Sequence, residues 1–271
     1  MDYNCCICGT VRNCGPYLDK VFENILKISS IFKNYEIIIF YDNSTDNSLE
    51  RLQYYKSKIK NMKFYQNRSL LSNFRTHNLA NARNFLLNYV KSKRQQFDFF
   101  IMMDMDDVNA KDCNINVLKY YLNRTDWDGL SFNTHPMYYD IWALSKPPFT
   151  FSYNHFPNNM IYHKLIGKYM DSLLKEIPED KLLGCISSFN GFSIYRTDKF
   201  MNTKYNGFPI PDLLPPHLLN MHKQIMKSNI IYKIYPTVDG RVEDCEHRAF
   251  HISAIQNSRA KIRISPKVLF K

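Results

Sequence analysis

Short, continuously apolar runs alternate with stretches of helical spacing through the first 110 residues of the chain. Asn4 to Arg12, Tyr35 to Tyr41 (YEIIIFY), Met62 to Tyr65 and Phe99 to Asp104 read as strands, because each is short and apolar and a polar cluster stops it. Between them, Pro16 to Ile31 places Tyr17, Val21, Phe22, Ile25, Leu26 and Ile28 on one broad helical face, opened by Gly15-Pro16. Leu49 to Lys58 and Leu79 to Lys93 are the next helices, the second with Ala82, Phe85, Leu86, Tyr89 and Val90 at helical spacing. This alternation predicts an α/β fold with a mostly parallel central sheet and helices on its faces. Ligands of such sheets sit beyond the carboxyl ends of the strands. Three polar segments fall there: Thr10 to Asn13, Asp42 to Asp46 and Asp104 to Asp107.

The second half is less regular. Cys113 to Leu122, Ile161 to Leu174 and Leu213 to Met226 have helical spacing, and Gly129 to Thr134 and Ile230 to Tyr235 read as strands. Met137 to Leu144 is a further strand candidate, and Lys146 to Phe156, rich in Pro and aromatics, reads as a loop. Cys185 to Arg196 resembles two strand pieces around Gly191. The basic stretch 259–271 reads as a peripheral tail. The expectation is a single domain over 1–271, with a nucleotide-binding half (1–110) and a half wrapping an acceptor (111–258).

Composition narrows the function. A formal net charge of +11 suits nucleic acid, a membrane surface or a small anionic substrate. The basic residues are scattered rather than lined up, so no nucleic acid is expected, while peripheral membrane contact stays open. Seven cysteines cannot all pair, so a disulfide framework is not expected. Cys5, Cys6, Cys8 and Cys14 lie in a strand-like segment without zinc-finger spacing. No apolar run is long enough to span a bilayer, and Met1-Asp2 opens no signal peptide. A soluble, cytoplasmic or virus-associated protein is expected.

Four constellations carry candidate chemistry. Asp104 and Asp106 face the same way if the strand period continues, and paired carboxylates suit a hard divalent cation on a phosphate-bearing substrate. The competing reading is an acidic turn capping a helix, with Asp107 or Asn109 as the N-cap. Asp42 directly follows the second strand, where its carboxylate suits a ribose or base edge. Arg75, Asn78, Arg83 and Asn84 enter a helix with an otherwise apolar face, and the planar fork of Arg clamps phosphate. A solvated basic face is the alternative. In Glu243 to His251 (EDCEHRAFH), helical spacing would put Asp244, His247 and His251 on one face, a carboxylate for base work with imidazoles as ligand or orienter. Asn190-Gly191 suits either a hairpin turn or a close backbone approach to a sugar. Trp142 offers a flat face for a sugar ring, with the plain core as the alternative.

In this order, ICGTVRN, YDNSTDNS, NLANARN and DMDD resemble the nucleotide-sugar-dependent glycosyltransferases of the GT-A fold. DMDD looks like that family's DxD motif. YYDIWALS and EDCEHRAFH are similar to a group that includes capsule-associated mannosyltransferases of fungi and relatives in giant viruses. The likeness spans about residues 4 to 255. It implies a UDP-sugar or GDP-mannose donor, a Mn²⁺ or Mg²⁺ cofactor, and a carbohydrate or glycoprotein acceptor for a hexose. Residue by residue, it implies that Thr10, Arg12 and Asp42 lie against the nucleotide, and Arg75 or Arg83 near its phosphates. Asp104 and Asp106 would hold the metal, completed by His251 or else His247. Asn190 and Gly191 would lie beside the transferred sugar. Glu243, Asp244 or Glu246 would be the acceptor-side carboxylate, with inversion and retention both open. The rival reading is a divalent-metal-dependent nuclease or nucleotidyltransferase, which would add a further carboxylate ligand and a continuous basic groove.

Overall fold

The computed structural model describes residues 2–69, 71–150, 159–209, 216–217, 220 and 243–271. Eight described strands form one mixed sheet: β1 (Asn4–Val11), β2 (Asn34–Tyr41), β3 (Met62–Gln66), β4 (Phe99–Asp104), β5 (Gly129–Asn133), β6 (Leu183–Gly184), β7 (Phe192–Arg196) and β8 (Ile262–Val268). Their order is β3-β2-β1-β4-β7-β5-β8-β6. The β3-β2-β1-β4 half is parallel throughout. The antiparallel β7 joins it to the parallel pair β5 and β8. The helices whose bounds fall among the described residues are α1 (Leu18–Ser29), α2 (Ser48–Lys58), α3 (Arg75–Ser92), α4 (Ile115–Leu122), α5 (Asn159–Glu176) and α6 (Glu246–Ser258).

The continuous apolar runs have a physical cause: the strands are covered on both faces. In β1, Cys5 and Ile7 point into one cluster with α1, α2 and α4, while Cys6 and Cys8 point into another with α3 and α6. Along β4, Phe99, Ile101 and Met103 likewise alternate with Phe100 and Met102. The cysteines of β1 are thus core residues, and all seven cysteines of the chain are free thiols. From α1, Val21, Phe22, Ile25 and Ile28 are fully buried, each contributing about 1.5–3 kcal/mol of hydrophobic stabilisation. Tyr17 and Leu26, expected on the same face, are exposed instead.

Three expectations are corrected. The segment 259–271 is no peripheral tail: its β8 lies inside the sheet between β5 and β6, with Ile262 and Ile264 buried. Met137 to Leu144 forms turns rather than a strand, and Tyr138, Ile141 and Leu144 pack against Ile166, Met170 and Leu174 of α5. Around Gly191 only one strand forms, since Ser187 makes just an isolated bridge to Ser145 while β7 pairs with β4 and β5. Leu213 to Met226 and Ile230 to Tyr235 lie outside the described residues, apart from isolated positions of the first.

Candidate active site

Parallel register brings the ends of three strands abreast. Thr10 of β1 lies opposite Phe40 of β2 and Asp104 of β4. Beyond this edge opens a chamber lined by Thr10, Arg12, Asp42, Arg75, Asn78, Asp104 and Asp106, among others. Asp42 accepts from the Asn67 amide at 3.0 Å, and Arg12 stands 3.9 Å from its carboxylate. Arg75 opens α3, so its side chain joins the positive end of a helix. The expected nucleotide-side residues therefore converge.

Asp104 ends β4, and its backbone N–H donates to the Gly191 carbonyl at 2.8 Å. The amide of Asn109 donates to the carbonyls of both Asp104 (2.7 Å) and Gly191 (2.8 Å), fixing the strand end. The cap of the following short 3-10 turn is Asp106, not Asp107 or Asn109: its carboxylate accepts from the Val108 N–H at 3.3 Å. Burial, and next the charges of Asp104 and Asp107, push the Asp106 carboxyl up to about 7. A buried carboxylate beside two others is costly unless a cation joins it. Asp104 and Asp106 therefore fit a hard divalent ion that takes one or two carboxylates and completes its shell with substrate phosphates. Among the described residues no three or more His, Cys, Asp or Glu converge as a complete protein-only site.

A second chamber adjoins the first and shares Arg75, Leu79 and Asp104 with it. Its other walls include Arg83, Tyr139, Asp140, Trp142, Glu246 and His247. Arg83 is buried and lines this chamber rather than the first. One terminal nitrogen donates to Asp104 Oδ1 at 2.7 Å and the other contacts Glu246 Oε1. Its fork is spent on two carboxylates, while its face lies over the Phe189 ring.

The acidic segment disperses. Glu243 accepts from the N–H and hydroxyl of Thr76 (3.3 and 3.1 Å) at the start of α3. Asp244 is buried and paired with Arg248 at 2.8 Å. Of the three acids, only Glu246 lines the chamber. The histidines also separate. His251 is wholly buried away from both chambers, its ring nitrogens 2.9 Å from the Ser187 hydroxyl and 3.1 Å from that of Tyr195. With both nitrogens engaged it is not placed to ligate a metal beside Asp104. Burial, then the charge of Arg248, pushes it down to about 3. His247 borders the second chamber, stacked on Phe189, and burial and Arg83 hold its pKa well below the ordinary histidine range.

Asn190 and Gly191 line neither chamber. The Asn190 amide donates to the Phe132 carbonyl (2.6 Å), and its oxygen accepts from the N–H groups of Tyr139 (3.1 Å) and Asp140 (2.8 Å). Asn190 thus braces the backbone of the walls. Trp142 does reach the second chamber, whereas Trp127 is core. A lining residue of the second chamber outside the sequence-based set is Asp140. Its signal was one acid inside the aromatic run YYDIW, hidden by reading that run as a strand.

A mostly parallel sheet with a polar two-chambered cleft at its strand ends defines a ligand-binding α/β protein of the GT-A architecture. The profile of glycosyl transferase family 2 matches residues 6–177, more than half of the chain, and the chain belongs to that family. No curated protein matches it. Among solved structures, residues 1-349 of TarS from S. aureus align with a TM-score of 0.50 at 12% identity, covering 100% of this chain and 60% of that one. The TarS complex with UDP gives 0.50 at 14% identity, again with 100% and 60% coverage. The likeness is one of fold, and the chain spans about 60% of the TarS chain's length. No helix among the described residues is long and apolar enough to cross a membrane.

Proposed function

We propose that the chain transfers a neutral hexose from a UDP- or GDP-linked donor to a hydroxyl of a glycan or glycoprotein, with a divalent ion at Asp104 and Asp106. The observation that carries this reading is the pair of chambers meeting at Arg75 and Asp104. A nucleotide in the first chamber, with Thr10, Arg12 and Asp42 beside it, points its diphosphate at that junction. The sugar then enters the second chamber, where Trp142 presents an apolar face. A Mn²⁺ or Mg²⁺ ion held there supplies charge neutralisation for the diphosphate. Arg75 adds a cation on the same edge. Glu246, in contact with Arg83, is the carboxylate that faces the positive charge developing on the sugar. The net charge of +11 suits an anionic donor and an anionic surface alike.

A thermal-shift series with UDP- and GDP-sugars, with and without Mn²⁺, tests this reading. One donor should stabilise the protein only with metal, by about 2.7 kcal/mol at a hundredfold excess over Kd. Asp104→Ala should remove that metal dependence. Stabilisation by oligonucleotides, with none by any nucleotide sugar, would sink the proposal.

A further inference from the structure

We infer that the outward face of α5 docks on an anionic lipid surface and turns the mouth of the second chamber toward it. The helix divides cleanly into two sides. Ile166, Met170 and Leu174, one turn apart, are buried and pack with Tyr138, Ile141 and Leu144. Opposite them, over roughly 140° of the helix circumference, stand Met160, Ile161, Leu165, Lys164, Lys168 and Lys175, all exposed. The three apolar side chains are between 50% (Leu165) and 66% (Ile161) exposed. An amphipathic helix keeps its outward face polar once its inward face is filled, so three large apolar groups there call for a partner.

The charge of this face has one sign. The one carboxylate within the arc, that of Asp171, is turned aside, its Oδ1 accepting from the Tyr138 N–H at 2.9 Å. That bond also sets the turn over 137–139 beside the helix, where Met137 and Tyr139 are both more than half exposed. Tyr139 and His163 of α5 line the second chamber, so the apolar and basic surface borders its mouth.

Apolar tips set among lysines on a convex helix face suit a bilayer interface. The apolar side chains enter the boundary between headgroups and acyl chains, while the lysine stems let the ammonium groups stay among the phosphates. Anionic headgroups add an attraction for each lysine, and the net charge of +11 acts in the same direction. Nucleic acid would engage the lysines and leave the apolar groups in water. A second copy docked through the same face about a two-fold axis would set lysines against lysines, which like charges oppose.

Co-sedimentation of the full chain with vesicles tests this, using phosphatidylcholine alone and phosphatidylcholine mixed with phosphatidylserine. Wild type should bind the mixed vesicles, about tenfold more tightly than the neutral ones, and less tightly as salt screens the lysines. Lys164→Gln/Lys168→Gln should lower the partition coefficient on mixed vesicles by about tenfold. Ile161→Gln/Leu165→Gln should lower it on both kinds of vesicle, since it removes the inserted groups. Both pairs are exposed and glutamine suits a helix, so the urea midpoints should match that of wild type. Absence of wild-type binding, equal binding to the two kinds of vesicle, or undiminished binding by either double variant would overturn the inference. A dimer that Ile161→Gln/Leu165→Gln dissolves, without vesicle binding by wild type, would assign the face to a second copy instead.

Discussion

The two chambers are built on opposite plans. The first is assembled from consecutive strand ends, with Thr10, Asp42 and Asp104 each following an apolar run, and Arg75 exposed at the start of α3. The second gathers side chains from α3, the turns after β5, α5, Phe189 and α6, and Arg83 and Glu246 among them pair with each other inside the protein. A site on strand ends inherits its geometry from the sheet and stays wet. A site made of buried ion pairs is part of the core, so the same residues carry stability and chemistry together.

Arginine substitutions separate the two plans most sharply. Arg83→Met leaves Asp104 and Glu246 without their shared cation, and Glu246 is only 2% exposed. Breaking a buried pair by removing one partner costs about 3–5 kcal/mol. Arg75→Ala, at an exposed position, should stay within about 0.5 kcal/mol of wild type and instead weaken nucleotide binding. Urea unfolding of both variants checks this. Equal losses of stability would erase the distinction between a core-like and a solvated chamber.

The same contrast explains what the sequence made legible. Strands β1 to β4 are readable because burial on both faces demands unbroken apolar runs, and Asp42 and Asp104 are readable because they end those runs. The strand β8 was hidden by its charge: Arg263 and Lys267 suggested a surface tail, although Ile262 and Ile264 keep a period of two. The turns over 137–144 were hidden because side chains capture backbone there, Asn190 taking the N–H groups of Tyr139 and Asp140, and Asp140 that of Ala143. Pairing between elements is a long-range property, so no local pattern could show that Arg83 joins Asp104 to Glu246, whereas the Asp244–Arg248 pair is local, at i,i+4.

A smaller effect tests the Asn190 turn as a support of the second chamber. Asn190→Ala removes the amide that bonds Phe132, Tyr139 and Asp140 and puts alanine at a φ of 60°. A loss of about 2–3 kcal/mol is expected from unpaired groups and backbone strain together. Asn190→Gly relieves the strain but not the lost bonds, so it should fall between alanine and wild type in urea unfolding. A glycine variant as stable as wild type would show that the amide bonds do not hold the turn.

The smallest effect is a pH dependence that belongs to the second half of the molecule. His251 is buried between Ser187 and Tyr195, and its folded pKa is pushed down to about 3 against about 6.5 in an unfolded chain. As pH falls, the unfolded chain takes up that proton first. The stabilising contribution is therefore full above about pH 6.5 and erodes by up to about 1.4 kcal/mol per pH unit down to pH 3. His247 works in the same direction, so removing one histidine should reduce the slope without flattening it. Stability of wild type and His251→Gln, measured by urea unfolding at pH 7, 6 and 5, should fall less steeply in the variant. Parallel pH curves would mean that His251 has the same proton affinity in the folded and unfolded chain, so that burial between Ser187 and Tyr195 does not set the acid sensitivity.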